Sequence, residues 1–348
     1  MAPPSAVPGA RGAATAAGEF LITDDDACPA LLSARRHAGA LTAYMPADKM
    51  EEPSRLISNA NRSPQTGGGR QTMSNAIEDA IYHNYLEYFH HAEERRRWNV
   101  KRDIPWSEAN TQISDLVADV VETFCAVESF LPDYTSKMLL MIRKSRGRAW
   151  FHINWGYEES KHSMVLREWL MASGKRTEAQ LKKLDEDLWE SEWELPFGTP
   201  RQMICYTTIQ ELATHVNYRQ LRKVAQREHD PALMKLLLLL AKDEAAHYGF
   251  FLKALQVFME HDPAGTVEDL AYVFKHFRMP AGSEIPDYDQ RARQLAEHGI
   301  YGPREYVSLV REPLLKKLGL TRDDLRPAEE SLRRAEERDR GGKLIIAR

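Results

Sequence analysis

Two stretches of the sequence share one short pattern: Glu159-Ser-Lys-His162 and Glu244-Ala-Ala-His247. In each stretch a Glu and a His are three residues apart, which places both side chains on one face of a helix, about one turn apart. A single Glu precedes each pair, Glu128 at a distance of 31 residues and Glu211 at a distance of 33. That separation is long enough for one helix to end and for the next to return antiparallel to it. The pattern therefore predicts two helical hairpins of the same design.

Most of the remaining sequence also has the pattern of helices. From Met73 onward apolar residues recur with the helical period, and no sustained alternation typical of strands is present. Asn75 and Ser107 are expected at the starts of the first two helices, and Pro132 is expected to interrupt the second one. The sequence therefore predicts an all-α domain that spans residues 73–348.

Residues 1–72 have a different composition. Gly, Pro, Ala and Ser dominate the beginning of this segment, a run of three glycines lies near its end, and no helical period persists. Such a segment lacks the apolar residues that would offset the entropy lost on ordering. We therefore predict an N-terminal tail without fixed structure, with Met73 as an alternative start of translation.

The composition limits the classes of protein. The 348 residues are 43% apolar and 28% charged, with a net charge of −4, so the chain has the balance of a globular protein and no sign of a nucleic-acid-binding surface. No apolar stretch reaches the roughly 20 residues that cross a bilayer. The three cysteines form no metal-binding or disulfide pattern, and the N-terminus has no apolar segment typical of a secretory signal. These features predict a cytoplasmic protein that does not insert into a membrane.

Four Glu and two His that face inward from four helices match the ligand set of ferritin-like di-iron proteins. The alternative is that these glutamates are surface residues of amphipathic helices. However, Glu128, Glu159 and Glu244 lie within apolar stripes. Buried carboxylates without partners would cost several kcal/mol each, and bound cations would remove that cost. The mixture of oxygen and imidazole ligands favours iron, with manganese as the other candidate. We therefore predict a ferritin-like four-helix bundle with additional flanking helices and two iron ions per chain.

Longer segments around these residues resemble the soluble acyl-carrier-protein desaturases. Trp155 to His162 (Trp-Gly-Tyr-Glu-Glu-Ser-Lys-His) is similar to that family's Trp-x-x-Glu-Glu-x-x-His segment, and Glu128-Ser-Phe-Leu-Pro132 is similar to the segment with its first ligand. Gln210 to Thr214 and Asp243 to His247 resemble its two later motifs. The resemblance implies a homodimeric enzyme that uses O2 and two electrons, usually from a ferredoxin. Its reaction would introduce a cis double bond into an acyl chain held on an acyl carrier protein.

Each candidate residue can be given an expected role. The unshared ligands would be Glu128 and His162 on one iron and Glu211 and His247 on the other, with Glu159 and Glu244 bridging the two. The resemblance implies that Thr214 relays a proton, with a helix-interior hydroxyl bonded to its own backbone as the alternative. Asp243 is expected to orient His162. Trp155 is expected beside the ligands, and Trp155 and Trp98 are candidates for electron transfer into the site, although core packing is the alternative for Trp98.

Several positions depart from the family pattern and leave the substrate open. Leu212 stands where the family usually has Arg, and Met203 and Ile204 stand where Gly and Phe are frequent. These changes leave the acyl chain length, the position of the double bond and the carrier undecided. The main alternative function is a di-iron oxygenase that hydroxylates or N-oxygenates a secondary metabolite. An iron-storage protein and the small subunit of ribonucleotide reductase are further alternatives, the latter because Tyr218 lies two turns after Glu211.

A saturated acyl chain would need an apolar channel and its carrier a basic surface. The residues predicted to line or back the channel are Phe151, Trp155, Ile204 and Phe251. The residues predicted to contact an acidic carrier are Arg143, Lys144, Arg146 and Arg148.

Overall fold

The computed structural model describes residues 68–346, and every regular element in this range is a helix. The predicted all-α fold is therefore confirmed. The predicted tail, residues 1–72, lies outside the described residues except for 68–72, which are helical. The helices are α1 (Gly68–His91), α2 (Asp115–Glu128), α3 (Leu131–Ile142), α4 (Arg146–Ala172), α5 (Glu178–Trp189), α6 (Pro200–Arg227), α7 (Pro231–His261), α8 (Pro263–His276), α9 (Tyr288–Glu297), α10 (Pro303–Glu305), α11 (Glu312–Lys317) and α12 (Arg322–Ile346).

Two hairpins form the centre of the fold, as predicted. In the first, α2 and α3 follow one another along the bundle and α4 returns against both of them. In the second, α6 and α7 pack against each other along their lengths. Helix α1 packs on α4 and α7, and α8 packs on α6, α7 and α12. Among residues 68–346, no helix is long and apolar enough to cross a membrane.

Capping residues fix where the core helices begin. Thr199 accepts a hydrogen bond from the N–H of Gln202 at the start of α6, and Asp230 accepts one from the N–H of Leu233 at the start of α7. A proline follows each of these caps, at a position where the missing N–H costs nothing. Pro132 occupies the first turn of α3 and interrupts the first long helix as predicted.

Two predicted helix starts are wrong. Asn75 lies inside α1 and not at its N-cap. Ser107 belongs to a single 3-10 turn, Trp106–Glu108, and α2 begins only after Ser114. The N–H and the hydroxyl of Ser114 donate to the carboxylate of Glu228, at 2.7 and 2.8 Å. Because Glu228 lies at the far end of α6, the start of α2 depends on a tertiary contact that the local sequence does not reveal.

In the part of the chain that the structure describes, the apolar core consists of two clusters, which lie on either side of the two Glu-x-x-His pairs. On α7, Leu240 lies one turn before the pair and Phe251 one turn after it, and the two residues belong to different clusters. On α4, Trp155 and Leu166 flank the other pair in the same way. The polar residues therefore interrupt an otherwise apolar core in the middle of the bundle.

Candidate metal centre

Six carboxylate and imidazole side chains from four helices meet inside the bundle. Each is at most 9% exposed. Glu128 is the last residue of α2, Glu211 lies within α6, and the two Glu-x-x-His pairs lie within α4 and α7. The structure thus brings together every residue that the sequence nominated as a ligand. The six residues are Glu128, Glu159, His162, Glu211, Glu244 and His247.

These side chains form two overlapping groups, and the candidate ligand atoms in each group lie within 4.8 Å of one another. The groups are Glu128, Glu159, His162 and Glu244, and Glu159, Glu211, Glu244 and His247. Nδ1 of His162 lies 2.9 Å from Oε2 of Glu159 and 3.2 Å from Oε1 of Glu244. Nδ1 of His247 lies 2.9 Å from the other oxygen of Glu159. The shared carboxylate of Glu159 therefore faces both imidazoles.

Several of these atoms are close to one another but form no hydrogen bond. Nδ1 of His162, Nδ1 of His247 and one oxygen each of Glu159, Glu211 and Glu244 are buried without a hydrogen-bond partner. Each buried polar atom that lacks a partner costs about 1–3 kcal/mol. One cation held by each group of side chains would bind these atoms, so the residues fit a dinuclear metal site.

The electrostatics of the site lead to the same conclusion. Burial, followed by the charge of Glu159, raises the pKa of the Glu128 carboxyl well above its usual value. Burial and the charge of Glu244 raise the pKa of Glu211 in the same way. Burial would lower the pKa of His162, but the nearby carboxylates, Glu159 first, raise it well above the usual value. The protein alone therefore disfavours the ionised forms of Glu128 and Glu211, whereas cations would stabilise them.

An acidic residue lies behind each imidazole. The structure places Oδ2 of Asp243 at 3.5 Å from Nε2 of His162, slightly beyond a normal hydrogen bond. Nε2 of His247 lies 2.8 Å from Oε2 of Glu158. Arg96 joins the two acids, because its guanidinium lies 2.5 Å from Asp243 and 2.8 Å from Glu158. One connected network of charged side chains therefore lies behind both imidazoles, in hydrogen-bond contact with His247 and 3.5 Å from His162.

Glu158 and Arg96 were not predicted from the sequence. A signal for Glu158 was present, because an acidic residue directly precedes the paired Glu in both copies of the pattern, as Glu158 and as Asp243. Arg96 had no such signal. It ends a π-helical turn, Ala92–Arg96, that follows α1 and carries its side chain into the bundle.

Each of the two unshared carboxylates accepts a hydrogen bond from an aromatic residue. The hydroxyl of Tyr218 donates to Oε1 of Glu128 at 2.6 Å. The indole N–H of Trp155 donates to Oε1 of Glu211 at 3.0 Å. Tyr218 lies on the same helix as Glu211, but its hydroxyl reaches the carboxylate of α2. Helical spacing alone did not reveal this contact.

Two further residues singled out in the sequence lie at the edges of the site. The hydroxyl of Thr214 donates to the backbone carbonyl of Gln210 at 3.0 Å, which is the alternative that the sequence left open for it. The Thr214 side chain also lines a cavity beside the site. Trp98 is half-buried, and its indole N–H donates to Oδ2 of Asp243 at 2.7 Å. Trp98 therefore connects to the network behind His162.

The cavity has a volume of about 530 Å³, within the roughly 300–1,000 Å³ typical of small-molecule sites. Two candidate ligands, Glu128 and Glu159, form part of its wall. The remaining wall is mainly apolar and aromatic and comes from α2, α3, α4, α6, α8, Trp193 and the 277–306 region, which includes α9. A ligand in this cavity would lie directly against one side of the candidate metal centre.

The residues predicted to line or back a channel lie in two different positions relative to the cavity. Trp155 lines the cavity, but Phe151, Ile204 and Phe251 are buried in the surrounding core and are not part of its wall. Met203 lines the cavity in place of its neighbour Ile204. A helix turns by about 100° per residue, so of two neighbouring positions on α6 one can lie in the wall of the cavity and the other in the core behind it.

Comparisons with known proteins agree with the site. A family model described as fatty acid desaturase matches residues 73–337. The protein DesA1 of Mycobacterium tuberculosis, named as an acyl-[acyl-carrier-protein] desaturase, is 23% identical over 263 residues, which cover 69% of this chain and 75% of DesA1. The chloroplastic stearoyl-[acyl-carrier-protein] 9-desaturase 2 of Arabidopsis thaliana is 29% identical over 203 residues, 53% of this chain and 49% of that enzyme.

A solved structure shares the fold. The X-ray structure of DesA2 from M. tuberculosis, described as an acyl-ACP desaturase, superposes with a TM-score of 0.55, and the match covers 74% of this chain and 99% of DesA2. The two sequences are 18% identical in this comparison, so it shows a common fold and no more. The family match covers most of the described domain and all six candidate ligands. The chain therefore belongs to the fatty acid desaturase family of the acyl-carrier-protein desaturases.

Proposed function

We propose that the protein is an O2-dependent desaturase that introduces a cis double bond into a saturated acyl chain held on an acyl carrier protein. The observation that carries this proposal is the position of the cavity, whose wall includes the candidate ligands Glu128 and Glu159. A molecule in the cavity would lie against the metal centre itself. Membership of the desaturase family supports this class of reaction.

Two iron ions per chain are the proposed cofactors. Glu159 and Glu244 occur in both groups of candidate ligands, which supports a bridging role for them. The unshared ligands would be Glu128 and His162 for one ion and Glu211 and His247 for the other. Bound iron would supply the oxidation of an unactivated C–H bond by O2, which no side chain of the protein can perform alone.

The remaining residues of the site hold the substrate and control protons. A saturated chain has no polar group, so the shape of the apolar cavity must position it against Glu128 and Glu159. Thr214 lines the same cavity and lies three residues after Glu211, which supports the proposed proton relay. To act in this way, its hydroxyl would turn away from the carbonyl of Gln210.

A ferredoxin-type protein is the proposed electron donor. The half-buried indole of Trp98 donates to Asp243, and Asp243 lies 3.5 Å from the imidazole of His162. These contacts form a continuous path from the edge of the protein to a candidate ligand. The path supports electron transfer into the site through Trp98.

Two of the four basic residues predicted to contact an acidic carrier are exposed at the end of the first hairpin, and the other two contact residues of this chain. Arg143 and Lys144 are exposed at the turn between α3 and α4. Arg146 instead lies over the rings of Tyr82 and Trp150, and Arg148 pairs with Glu78 at 2.5 Å. We therefore retain Arg143 and Lys144 as the proposed carrier contacts of this group.

A homodimer is also proposed, and the outer face of α4 supports it. Trp150, Ile153, Tyr157 and Met164 recur at helical spacing on this face and are 46–59% exposed. An apolar stripe of this kind is typical of a protein interface. If α4 forms the interface, Ile153→Glu should convert a dimer into a monomer in sedimentation equilibrium while leaving the helical circular dichroism unchanged.

Product analysis tests the proposed reaction. The purified protein would be given iron, O2, a ferredoxin reducing system and saturated acyl carrier proteins of several chain lengths, with Glu244→Ala as the matched inactive control. We expect a mono-unsaturated chain from the unaltered protein alone. A hydroxylated or N-oxidised product would favour the oxygenase alternative. Consumption of O2 without an unsaturated product at any chain length would overturn the proposal.

A further inference from the structure

We propose that Tyr218 is a positioning residue that holds one oxygen of Glu128 and thereby sets the metal affinity of one of the two metal positions. This inference rests on the proposed metal centre. Its basis is the hydrogen bond from the Tyr218 hydroxyl to Oε1 of Glu128, at 2.6 Å. A carboxylate oxygen of Glu128 also lies within 4.8 Å of candidate ligand atoms of Glu159, His162 and Glu244.

The ring of Tyr218 is well fixed. The residue is 1% exposed. Its ring meets the ring of Phe124 edge-on, with 5.5 Å between centroids, and meets the imidazole of His162 edge-on at 6.2 Å. A donor held in this way can orient an acceptor without a further loss of its own conformational entropy. The fixed position of its ring therefore allows Tyr218 to restrain the Glu128 carboxylate.

The second metal position shows the same arrangement. The indole N–H of Trp155 holds Oε1 of Glu211, and Oε2 of Glu211 has no hydrogen-bond partner and lies 3.3 Å from Nδ1 of His247. One oxygen is tethered and the other faces the metal position. By the same geometry, Tyr218 tethers Glu128 on the opposite side of the centre.

The location of Glu128 makes its tether especially important. Glu128 is the last residue of α2, whereas the other five candidate ligands lie inside helices that continue on both sides. A residue at a helix end has fewer backbone hydrogen bonds to restrain it. Glu128 belongs to only one of the two ligand groups, so the loss of its tether should affect one metal position and spare the other.

Metal titration of the full-length chain tests this role. Metal-free protein would be titrated with Co²⁺ and followed by calorimetry and by visible absorption, which reports the geometry around each ion. Tyr218→Phe removes the hydroxyl alone. We expect one Co²⁺ to bind about 10- to 100-fold more weakly and with an altered absorption band, because outer hydrogen-bond partners of metal ligands typically contribute that much. The second Co²⁺ should bind as in the unaltered protein.

Two further variants serve as controls. Tyr206→Phe removes a hydroxyl from another buried tyrosine that lines the same cavity, and this hydroxyl forms no hydrogen bond with a candidate ligand, so both affinities should stay unchanged. Fluorotyrosine at position 218 retains the donor and should retain both affinities. Retained helical circular dichroism in all variants establishes that the fold is intact.

The remaining outcomes have definite meanings. Unchanged binding of both ions in the Tyr218→Phe variant would overturn the proposed role, and so would equal weakening of both ions, because a tether on Glu128 acts on one position. In either case, binding of two Co²⁺ ions by the unaltered protein would still support the proposed metal centre. If the unaltered chain bound no Co²⁺, the metal centre and this inference would both fail.

Discussion

Replacement of Arg96 by Met tests the network behind the imidazoles. The guanidinium lies 2.8 Å from Glu158 and 2.5 Å from Asp243, and both of these carboxylates are only 1% exposed. Loss of the cation from a buried ion pair costs about 3–5 kcal/mol. Glu158 keeps a contact with Arg97, and Asp243 keeps one with Trp98. We therefore expect a loss at the lower end of this range, about 3 kcal/mol.

The assay is urea unfolding of the metal-free protein at pH 7. Arg95→Met is the matched control, because Arg95 is the exposed neighbour of Arg96 and loses the same charge. A surface substitution of this kind should change the free energy of unfolding by less than about 0.5 kcal/mol. The Arg96→Met variant should lose clearly more free energy of unfolding than the Arg95→Met control. A difference between the two variants below about 1 kcal/mol would show that the network contributes little to stability.

The pH dependence of this loss has a definite sign. Burial would raise the pKa of Glu158, but His247 and Arg96 hold it well below its usual value, and the pKa of Asp243 is also lowered. A lowered pKa stabilises the folded state above the pKa of the unfolded chain, roughly 4. That stability is lost as the pH falls through the folded-state pKa. The loss of unfolding free energy caused by Arg96→Met should therefore be largest near neutral pH and should decrease as the pH falls into the acid range.

The remaining predictions concern the metal, the proposed relay and the N-terminal segment. The unaltered protein should hold about two irons per chain, and Glu159→Ala or Glu244→Ala should lose most of both with helicity retained, since each residue belongs to both groups. Full iron content in both variants would contradict the ligand assignment. The Thr214→Val variant should keep its iron but form less unsaturated product per O2 consumed. An unchanged ratio of product to O2 would contradict the proposed proton relay. A chain that starts at Met73 should fold and turn over like the full chain, as judged by circular dichroism and product analysis, and loss of activity would show that residues 1–72 contribute.

The ligand set was predictable because it depends on spacing within helices. Glu159 and His162 are three residues apart, and no tertiary contact is needed to know that they share a face. The interruption at Pro132 is equally local, since it follows from the chemistry of one residue. These features account for the success of the predicted hairpins.

Features that depend on contacts between distant segments were not predictable in the same way. The start of α2 depends on Glu228, which follows Ser114 by 114 residues. Arg96 reaches Asp243 across 147 residues, and the tether on Glu128 comes from Tyr218, 90 residues away. The cavity wall formed by the 277–306 region carries no motif at all. Spacing along one helix contains no information about which partner a side chain meets on another.

The interruption after Glu128 has a mechanical consequence. A ligand in the middle of a helix can move only if backbone hydrogen bonds on both sides of it are strained. Glu128 is followed by a short turn, Ser129-Phe130, before α3 begins, so the regular α-helical hydrogen bonds do not continue beyond it. It is also one of the two candidate ligands that face the cavity. Fewer helical hydrogen bonds therefore restrain the backbone of Glu128 than that of the other candidate ligands, and Glu128 lies on the side that a substrate would touch.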